Sequence, residues 1–369
     1  MEFSCNLENL KKIANDVSLA INIKNSTIPI LEGMLLECEK NILKLTGYNL
    51  SLGIIKTLKV NQKKEGKVVL KATIFVEILK KLDNEEIVFI SVDKNLITTI
   101  KTKTTEFTIS GINSISYPNL PEIEKENSIK IKNKTLKEAI FKTIFAVSNN
   151  NNNNPTLSGC LFKIYDNNLK IVSLDGYRIA ISYSLIENNN INTEFIVSSK
   201  TLNEISKILD EDETKETIIE ISNNHIVFQI SGYYVISRLL QGKFLDYKAA
   251  IPKSCETEII INPEILEKSL QKVSAIITTK ISVTMKISKN IISVNCESPI
   301  GKAKDSIETK TIGKELEKIA FNNRFMLDAL KHCRCDLVKI GFNGPIMPIT
   351  LKPEKDSDFL YLVLPVRLK

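Results

Sequence analysis

One pattern of helix and strand signals occurs three times along the chain, and this repeat constrains the fold more than any other feature. The first helical segment of each copy has apolar residues at i, i+3 or i+4, and i+7. These segments are Leu10–Val17, Leu136–Thr143 and Leu266–Val273, which begin 126 and 130 residues apart. The second helical segments are Phe75–Lys80, Leu202–Lys207 and Met326–Lys331. The sequence therefore predicts three tandem copies of one structural unit.

Short β-branched runs with alternating polarity separate the helices. Examples are Ile87–Val92, Thr217–Ile221 and Leu337–Phe342, each followed by a turn and another strand signal. Each unit is therefore predicted to be α+β, with two half-units that each place one helix on antiparallel strands. Polar segments with proline close the first two units, at Tyr117–Glu122 and Asp246–Pro252. The predicted domains are residues 1–126, 127–253 and 254–369.

The composition is typical of a soluble globular protein. Of the 369 residues, 43% are hydrophobic and 25% are charged, and the length suits two or three domains. The N-terminal residues do not resemble a signal peptide, and no apolar run is long enough to span a bilayer. Seven cysteines at scattered positions indicate free thiols in a reducing compartment. We therefore expect a cytoplasmic protein.

A metal-dependent enzyme is the strongest catalytic alternative, and it depends on His332-Cys333-Arg334-Cys335. Two cysteines one residue apart give poor zinc geometry without a second cluster, and the only other histidine is His225. The 13 glycines are spread singly, so the sequence has no P-loop or dinucleotide fingerprint. A duplicated α/β enzyme would need polar residues at repeated positions, which this sequence lacks. We expect no catalytic residue, no metal and no cofactor.

Tandem α+β units can form an arc, and a symmetric oligomer of such arcs can close into a ring with equivalent helices around the hole. Duplex DNA carries one phosphate charge per roughly 1.7 Å of axis, so such a ring needs positive charge on its inner helices. Lysines of the repeated helices are therefore predicted to face DNA. They are Lys11, Lys12, Lys80, Lys81, Lys137, Lys142, Lys200, Lys207, Lys268, Lys272 and Lys331.

The alternative for each of these lysines is an ordinary solvated helix face. In the second helix of each copy, an acidic residue precedes a lysine by three positions; these residues are Glu77, Glu204 and Asp328. The net charge of +7 permits DNA binding without requiring it. No zinc-finger, helix-turn-helix or aromatic RNA-binding motif occurs, which favours contacts that do not depend on base sequence.

Three stretches resemble the bacterial DNA polymerase sliding clamp family: Asn25–Gly33, Leu174–Ala180 and Tyr361–Leu368. The second is close to the family pattern T-D-G-H/Y-R-L-A, and the third is similar to Y-x-x-M/L-P-M/V-R-L. The resemblance covers the whole chain. It implies three tandem DNA-clamp domains, each with two helices on antiparallel sheets, that form a crescent and close into a ring as a homodimer. It also implies a non-catalytic processivity factor of DNA replication that encircles duplex DNA.

In the family, the second and third stretches line a hydrophobic cleft for short peptides of DNA polymerases, clamp-loader subunits and repair proteins. A groove of leucine, isoleucine, valine and proline with arginines at its rim suits an extended apolar peptide. By matching position, the resemblance implies a pocket of Leu157, Gly159, Leu174, Gly176, Tyr177, Arg178, Ile179, Leu245, Met347, Leu362, Leu364, Pro365, Val366 and Arg367. A purely structural role remains the alternative for single members.

The resemblance also implies a head-to-tail dimer interface and one further DNA contact. The matching apolar interface positions are Ile74, Ile78, Phe107, Ile276 and Ile277, and the additional basic residue is Lys24. The Asn149–Asn154 run occupies a loop where the family often has basic or aromatic residues, which makes a DNA contact there doubtful. The alternative function is a peptide-binding adaptor that acts independently of DNA.

Overall fold

The computed structural model describes residues 1–21, 28–82, 86–123, 127–148, 154–187, 191–276 and 282–367. The α-helices in these residues are α1 (Leu7–Ser18), α2 (Ala72–Lys81), α3 (Asn133–Ile144), α4 (Ser199–Ile208), α5 (Pro263–Ser274) and α6 (Asn323–Lys331). Asparagine side chains start three of them by accepting a backbone N–H of the first turn. These N-caps are Asn6 for α1, Asn262 for α5 and Asn322 for α6.

The strands follow the threefold repeat. The first copy contains β1 (Glu2–Asn6), β2 (Gly33–Glu39), β3 (Ile42–Tyr48), β4 (Leu52–Lys59), β5 (Asn61–Lys64), β6 (Gly66–Lys71), β7 (Ile87–Val92), β8 (Ile97–Lys101) and β9 (Glu106–Ser110). The second contains β10 (Asn127–Lys132), β11 (Gly159–Tyr165), β12 (Asn168–Leu174), β13 (Arg178–Leu185), β14 (Thr193–Ser198), β15 (Glu216–Ile221), β16 (His225–Ile230) and β17 (Tyr233–Arg238).

The third copy contains β18 (Thr257–Ile261), β19 (Ser282–Ser288), β20 (Ile291–Ser298), β21 (Gly301–Glu308), β22 (Lys310–Gly313), β23 (Leu316–Asn322), β24 (Val338–Phe342), β25 (Ile349–Pro353) and β26 (Phe359–Val363). Every copy is therefore two successive half-units, each a strand, a helix and a three-stranded meander; β5 and β22 are additional short strands. The predicted half-units are confirmed at this level.

The two largest sheets extend across the borders between copies of the repeat. One eight-stranded sheet has the order β10-β15-β16-β17-β4-β3-β2-β6, and one nine-stranded sheet has the order β14-β11-β12-β13-β26-β25-β24-β18-β22. Each joins half-units of two successive copies, through the antiparallel pairs β17–β4 and β13–β26. The remaining two sheets, β5-β1-β7-β8-β9 and β21-β20-β19-β23, each belong to one copy.

The chain consequently divides into two compact units rather than three. Unit 1 is residues 1–134 and 203–239, and unit 2 is residues 135–202 and 240–369. The physical reason is that the two meanders of the second copy lie in different sheets, β11–β13 in the nine-stranded sheet and β15–β17 in the eight-stranded sheet. The predicted borders at residues 126 and 253 describe the repeat and remain a prediction.

The apolar faces of the first helices lie in the cores, as their periodicity predicts. Leu10, Ile13 and Val17 of α1 are buried in unit 1, where the helix packs on β3, β4 and α2. Leu266, Leu270 and Val273 of α5 are buried in unit 2 against β20, β21 and α6. Burial of one such side chain contributes roughly 1.5–3 kcal/mol, so these stripes are sufficient to fix the helices on their sheets.

Candidate peptide-binding surface and DNA-facing residues

The C-terminal tail, which begins at Leu364 after β26, and the turn at residues 175–178 lie side by side in unit 2. Strand β26 pairs antiparallel with β13 and brings the two segments together. Beyond β26, the N–H of Leu364 donates to the carbonyl oxygen of Tyr177 at 2.8 Å. The N–H of Val366 donates to the carbonyl oxygen of Ala320 at 2.7 Å. Two sequence motifs more than 180 residues apart thus form one surface, with β23 on its other side.

The side chain of Asp175 shapes the turn. Its Oδ1 accepts the N–H groups of Tyr177 and Arg178 at 3.0 and 3.1 Å. Gly176 has φ of +88°, in the left-handed region that glycine adopts at little cost, and a Cβ added there would meet no atom within 4 Å. The backbone conformation therefore favours glycine at position 176, and the surface above it is open.

Arg178 is not a polar group at the rim, which corrects the expectation from sequence. Its side chain is only 9% exposed, and its Nε donates to Asp175 Oδ2 at 2.9 Å. Its Nη1 donates to Asp328 Oδ2 at 2.5 Å. The guanidinium carbon lies 4.6 Å from the ring centre of Phe325 and 5.6 Å from that of Phe145. Arg178 thus joins β13 to α6, because its Nε and Nη1 donors and its flat face are engaged inside the protein.

Several expected pocket residues lie below the surface. Leu174 and Leu362 are buried. Gly159 is also buried, and a Cβ at this position would lie 2.3 Å from the Val197 carbonyl oxygen, because β11 and β14 approach closely here. These three residues support the site from below and cannot contact a ligand directly.

The remaining expected residues provide accessible apolar surface. Leu157 and Ile179 are partly buried against the core cluster that contains Leu174. The exposed ones are Tyr177, Leu245, Met347, Leu364, Val366 and the charged Arg367; Pro365 is half-buried. Met347 precedes β25, whose Ile349 pairs with Val363, so this loop ends beside the tail. We call Leu157, Tyr177, Ile179, Leu364 and Val366 the tail surface.

Sequence analysis missed two groups of residues at this site. Tyr247 is buried in the cluster below the tail surface, with Leu240, Phe244 and Ile251 packed around it, and burial raises its pKa to about 12. Phe325 stacks on Tyr177, with ring centres 6.0 Å apart. The only sequence signal for this second group is that the third copy has Asp328 where the other copies have glutamate.

An aromatic stack supports α6 beneath this site. His332, at the C-terminus of α6, lies 4.5 Å from Phe141 and 4.4 Å from Phe145, measured between ring centres. Its Nδ1 is 2.7 Å from the Asp328 carbonyl oxygen. Burial lowers the pKa of His332 below 6.5, so the stacked ring is neutral at neutral pH.

Three family profiles match consecutive parts of the chain. They are the N-terminal, central and C-terminal domains of the DNA polymerase III beta subunit, matched at residues 1–121, 130–246 and 248–367. The beta sliding clamp of Halalkalibacterium halodurans is 31% identical over 370 residues, covering 96% of each chain. That of Staphylococcus epidermidis is 31% identical over 378 residues, covering 100% of this chain and 99% of the relative. The chain belongs to the beta sliding clamp family.

The fold agrees with this assignment. The DNA polymerase sliding clamp of Bacillus subtilis has a TM-score of 0.94 to this chain, with 29% identity and complete coverage of both chains. The expected family, the fold of three tandem clamp domains and the function of a DNA sliding clamp and processivity factor are confirmed. The beta sliding clamp is a non-catalytic subunit of DNA polymerase III.

The predicted DNA-facing lysines of this clamp have different environments. Lys12, Lys80, Lys81, Lys200, Lys207, Lys268, Lys272 and Lys331 are exposed, and Lys11 and Lys137 are half-buried. Lys142 is buried, and its Nζ lies 2.5 Å from Asp358 Oδ2, so it cannot present its charge to DNA. The geometry therefore gives no support for Lys142 as a DNA contact, and the DNA-facing set as a whole remains a prediction. Lys24 and the residues 149–153 lie outside the described part of the chain.

The acidic residues of the second helices pair in three different ways. Glu204 contacts Lys207 at 2.6 Å, three residues along α4. Glu77 is 3.8 Å from Lys81, four residues along α2. Asp328 contacts Arg178. The common spacing in the sequence therefore does not predict a common ion pair.

The expected dimer-interface residues of the clamp also differ in exposure. Ile74 is exposed on α2, whereas Phe107 on β9 and Ile276 after α5 are half-buried. Ile78 is 8% exposed within unit 1 and offers little surface in the single chain, and its assignment to the interface remains a prediction. Ile277 lies outside the described residues.

The described residues of the clamp contain no cluster of metal-binding side chains, and burial makes two of their thiols less reactive. Within them, no three His, Cys, Asp or Glu side chains are grouped closely enough to hold a metal ion. Burial raises the pKa of Cys335 to about 11 and that of Cys160 to about 12, the opposite of thiol activation. No helix in the same part of the chain has the length and apolar character that a bilayer crossing requires.

Proposed function

We propose that this clamp acts in the cytoplasm, at the nucleoid, as a head-to-tail homodimeric ring around duplex DNA. The ring slides without sequence specificity and tethers DNA polymerase, clamp-loader subunits and other replication and repair proteins. These partners insert short peptide segments at the tail surface. No cofactor takes part, because the function needs only topology and peptide contacts.

Two unused strand edges support ring closure. Within the chain, the last strand of one copy pairs with the last meander strand in the first half of the preceding copy: β17 with β4, and β26 with β13. The same rule leaves β9 of the first copy and β21 of the third copy, and both are edge strands. We call each of these strand pairings between two copies a junction. Pairing of β9 with β21 of a second protomer would form two further junctions, one at each end of the chain. With the two junctions inside each protomer, the dimer would form a closed ring with six equivalent junctions. This match of edges is the observation that carries the proposal.

The ring can be tested by its topology. The dimer should remain on closed circular DNA after loading and dissociate when that DNA is linearised. Phe107 is on the β9 edge, so Phe107→Asp places a charge in the proposed junction and should give a monomer without topological retention. Leu185→Asp changes an equally apolar but 80% exposed side chain elsewhere and should leave the dimer intact. A wild-type chain that is monomeric at micromolar concentration contradicts the ring.

Peptide binding can be tested separately. Synthetic peptides of about ten residues, tiled across the DNA polymerase and clamp-loader subunits of the same organism, match the length of an extended docking segment. At least one should bind the wild-type chain. Deletion of residues 364–369 removes the tail and should abolish that binding while the dimer and its retention on DNA persist. Peptide binding without any retention on DNA would instead support the DNA-independent adaptor.

A further inference from the structure

Within the described residues, the β13–β26 junction contains a buried ionic network, whereas the side chain at the matching position of the β17–β4 junction is apolar. By strand register, Arg178 faces the last strand β26 at the position where Leu52 faces β17: Arg178 is opposite Val363, and Leu52 is opposite Ser237. Leu52 is buried and apolar. The β17–β4 junction therefore forms without a charged side chain at this position. By analogy, Arg178 is not needed to pair β13 with β26.

Its partner departs from the repeat in the same way. Asp328 of α6 aligns with Glu204 of α4 in the second helical segments, and Glu204 pairs with Lys207 on its own helix. Asp328 instead reaches β13 and receives the Nη1–H of Arg178. Both members of the Arg178–Asp328 pair thus differ from their counterparts at the other junction, and they differ together.

The pair holds the aromatic wall of the tail surface. Asp175 and Asp328 fix the guanidinium from two sides, which places its flat face 4.6 Å from the ring centre of Phe325. Phe325 in turn stacks on Tyr177, whose side chain is 63% exposed and whose carbonyl oxygen accepts the N–H of Leu364. A chain of direct contacts therefore runs from Asp328 to the tail surface.

A buried ion pair is commonly no more stable than apolar side chains of the same volume, because desolvation offsets the attraction. A leucine at the equivalent position shows that the fold accepts the apolar solution. Stability alone therefore does not explain why this junction has the network. Within the described part of the chain, its contacts lead through Phe325 to the exposed Tyr177 and from there to the start of the tail.

We infer that Asp328 is a positioning residue for peptide binding: through Arg178 it fixes Phe325 and Tyr177 as a preorganised wall against which a docked peptide packs. This inference rests on the proposed peptide-binding function of the tail surface. Preorganisation increases affinity because the wall is already ordered before the peptide binds, so no binding free energy is used to order it.

The central variant is Asp328→Asn, which keeps the size of the side chain and removes its charge. With the tightest peptide of the tiled set, the dissociation constant should rise about tenfold, because a wall that is no longer held in place has to be ordered when the peptide binds. Glu204→Gln is the matched control, since it changes the aligned acid of α4 and should leave the dissociation constant unchanged. The triple variant Asp175→Asn, Arg178→Leu, Asp328→Leu removes all three charges of the network and gives positions 175 and 178 the side chains that the other junction has at Asn49 and Leu52. It should fold as stably as the wild type and still lose at least tenfold in peptide affinity.

A spectroscopic readout distinguishes positioning from general stability. The chain has no tryptophan, so Tyr177→Trp introduces a single reporter at the stacked position. In this background, Asp328→Asn should shift the tryptophan emission to longer wavelength, whereas Glu204→Gln should leave the emission unchanged. The inference is overturned, and the proposed function is not, if Asp328→Asn leaves both the peptide affinity and the tryptophan emission unchanged while the wild type binds the peptide and the tail deletion does not. Absence of wild-type peptide binding would instead overturn the proposed function.

Discussion

Lys142 provides a strong test because sequence and structure assign it opposite roles. The repeat places it among the lysines of α3 that should face DNA, whereas the structure buries its side chain to 9% exposure. Its ammonium is paired with Asp358, which is 40% exposed. We therefore expect Lys142 to contribute to stability and not to DNA retention.

Two substitutions separate its stem from its charge. Lys142→Ala removes three buried methylene groups, worth about 0.8 kcal/mol each, together with an ion pair worth up to about 1 kcal/mol, because water screens the exposed Asp358. The expected loss in the free energy of unfolding is about 2–3 kcal/mol. Lys142→Met keeps an apolar stem of similar length, so its loss should stay below about 1 kcal/mol.

The measurements are urea unfolding followed by circular dichroism and the salt dependence of retention on circular DNA. An unchanged m-value together with a lower midpoint identifies a change in stability. Lys268→Ala on α5 is the matched control, since this lysine is 72% exposed. Loss of one phosphate contact should flatten the slope of log affinity against log salt by about 0.9. The reasoning is refuted if Lys142→Met flattens the slope as much as Lys268→Ala, or if Lys142→Ala unfolds at the wild-type urea concentration.

Three further predictions concern stability and thiol chemistry. Gly159→Ala should cost about 1–3 kcal/mol in urea unfolding, because its Cβ would lie 2.3 Å from the Val197 carbonyl oxygen; a neutral result would contradict the close approach. Burial lowers the pKa of His332 below 6.5, so the unfolded chain binds this proton more readily and stability is lost as the pH falls through 6.5. His332→Asn should therefore lose less free energy of unfolding between about pH 7.5 and about pH 5.5 than the wild type. A thiol-specific reagent should modify at most Cys255 and Cys335 rapidly in the native chain, and all seven cysteines after unfolding.

The parts of the fold that the sequence predicts are those that a local period encodes. The apolar stripe of α5 places Leu266, Leu270 and Val273 in the core, and the periodicity alone locates that helix. The pairings β17–β4 and β13–β26 join strands about 180 residues apart, and no local pattern carries that information. The two compact units therefore could not be predicted, because they depend on these long-range pairings.

The same distinction explains which predictions about the site agree with the structure. The tail and the turn at residues 175–178 were recognised as motifs, and the structure brings them together. The environment of an individual charge was not predictable from residue type. Lysine and arginine are exposed by default, and only the position of Asp358 or Asp328 across the fold shows that Lys142 and Arg178 are paired inside.

An internal repeat provides a control that a single domain lacks, because equivalent positions show which features the scaffold requires. Tyr117 and Tyr247 are both buried in the segments that close a copy, each in the cluster beside a strand junction. Leu120 and Ile251, each followed by proline, pack against these clusters in the same way. These pairs belong to the scaffold. Substituting a member of either pair should lower the free energy of unfolding without a specific loss of peptide affinity. The features confined to the β13–β26 junction are the tail, the exposed Tyr177 and the Arg178–Asp328 network. Since the scaffold is complete without them, the affinity and specificity of peptide docking should depend on these groups.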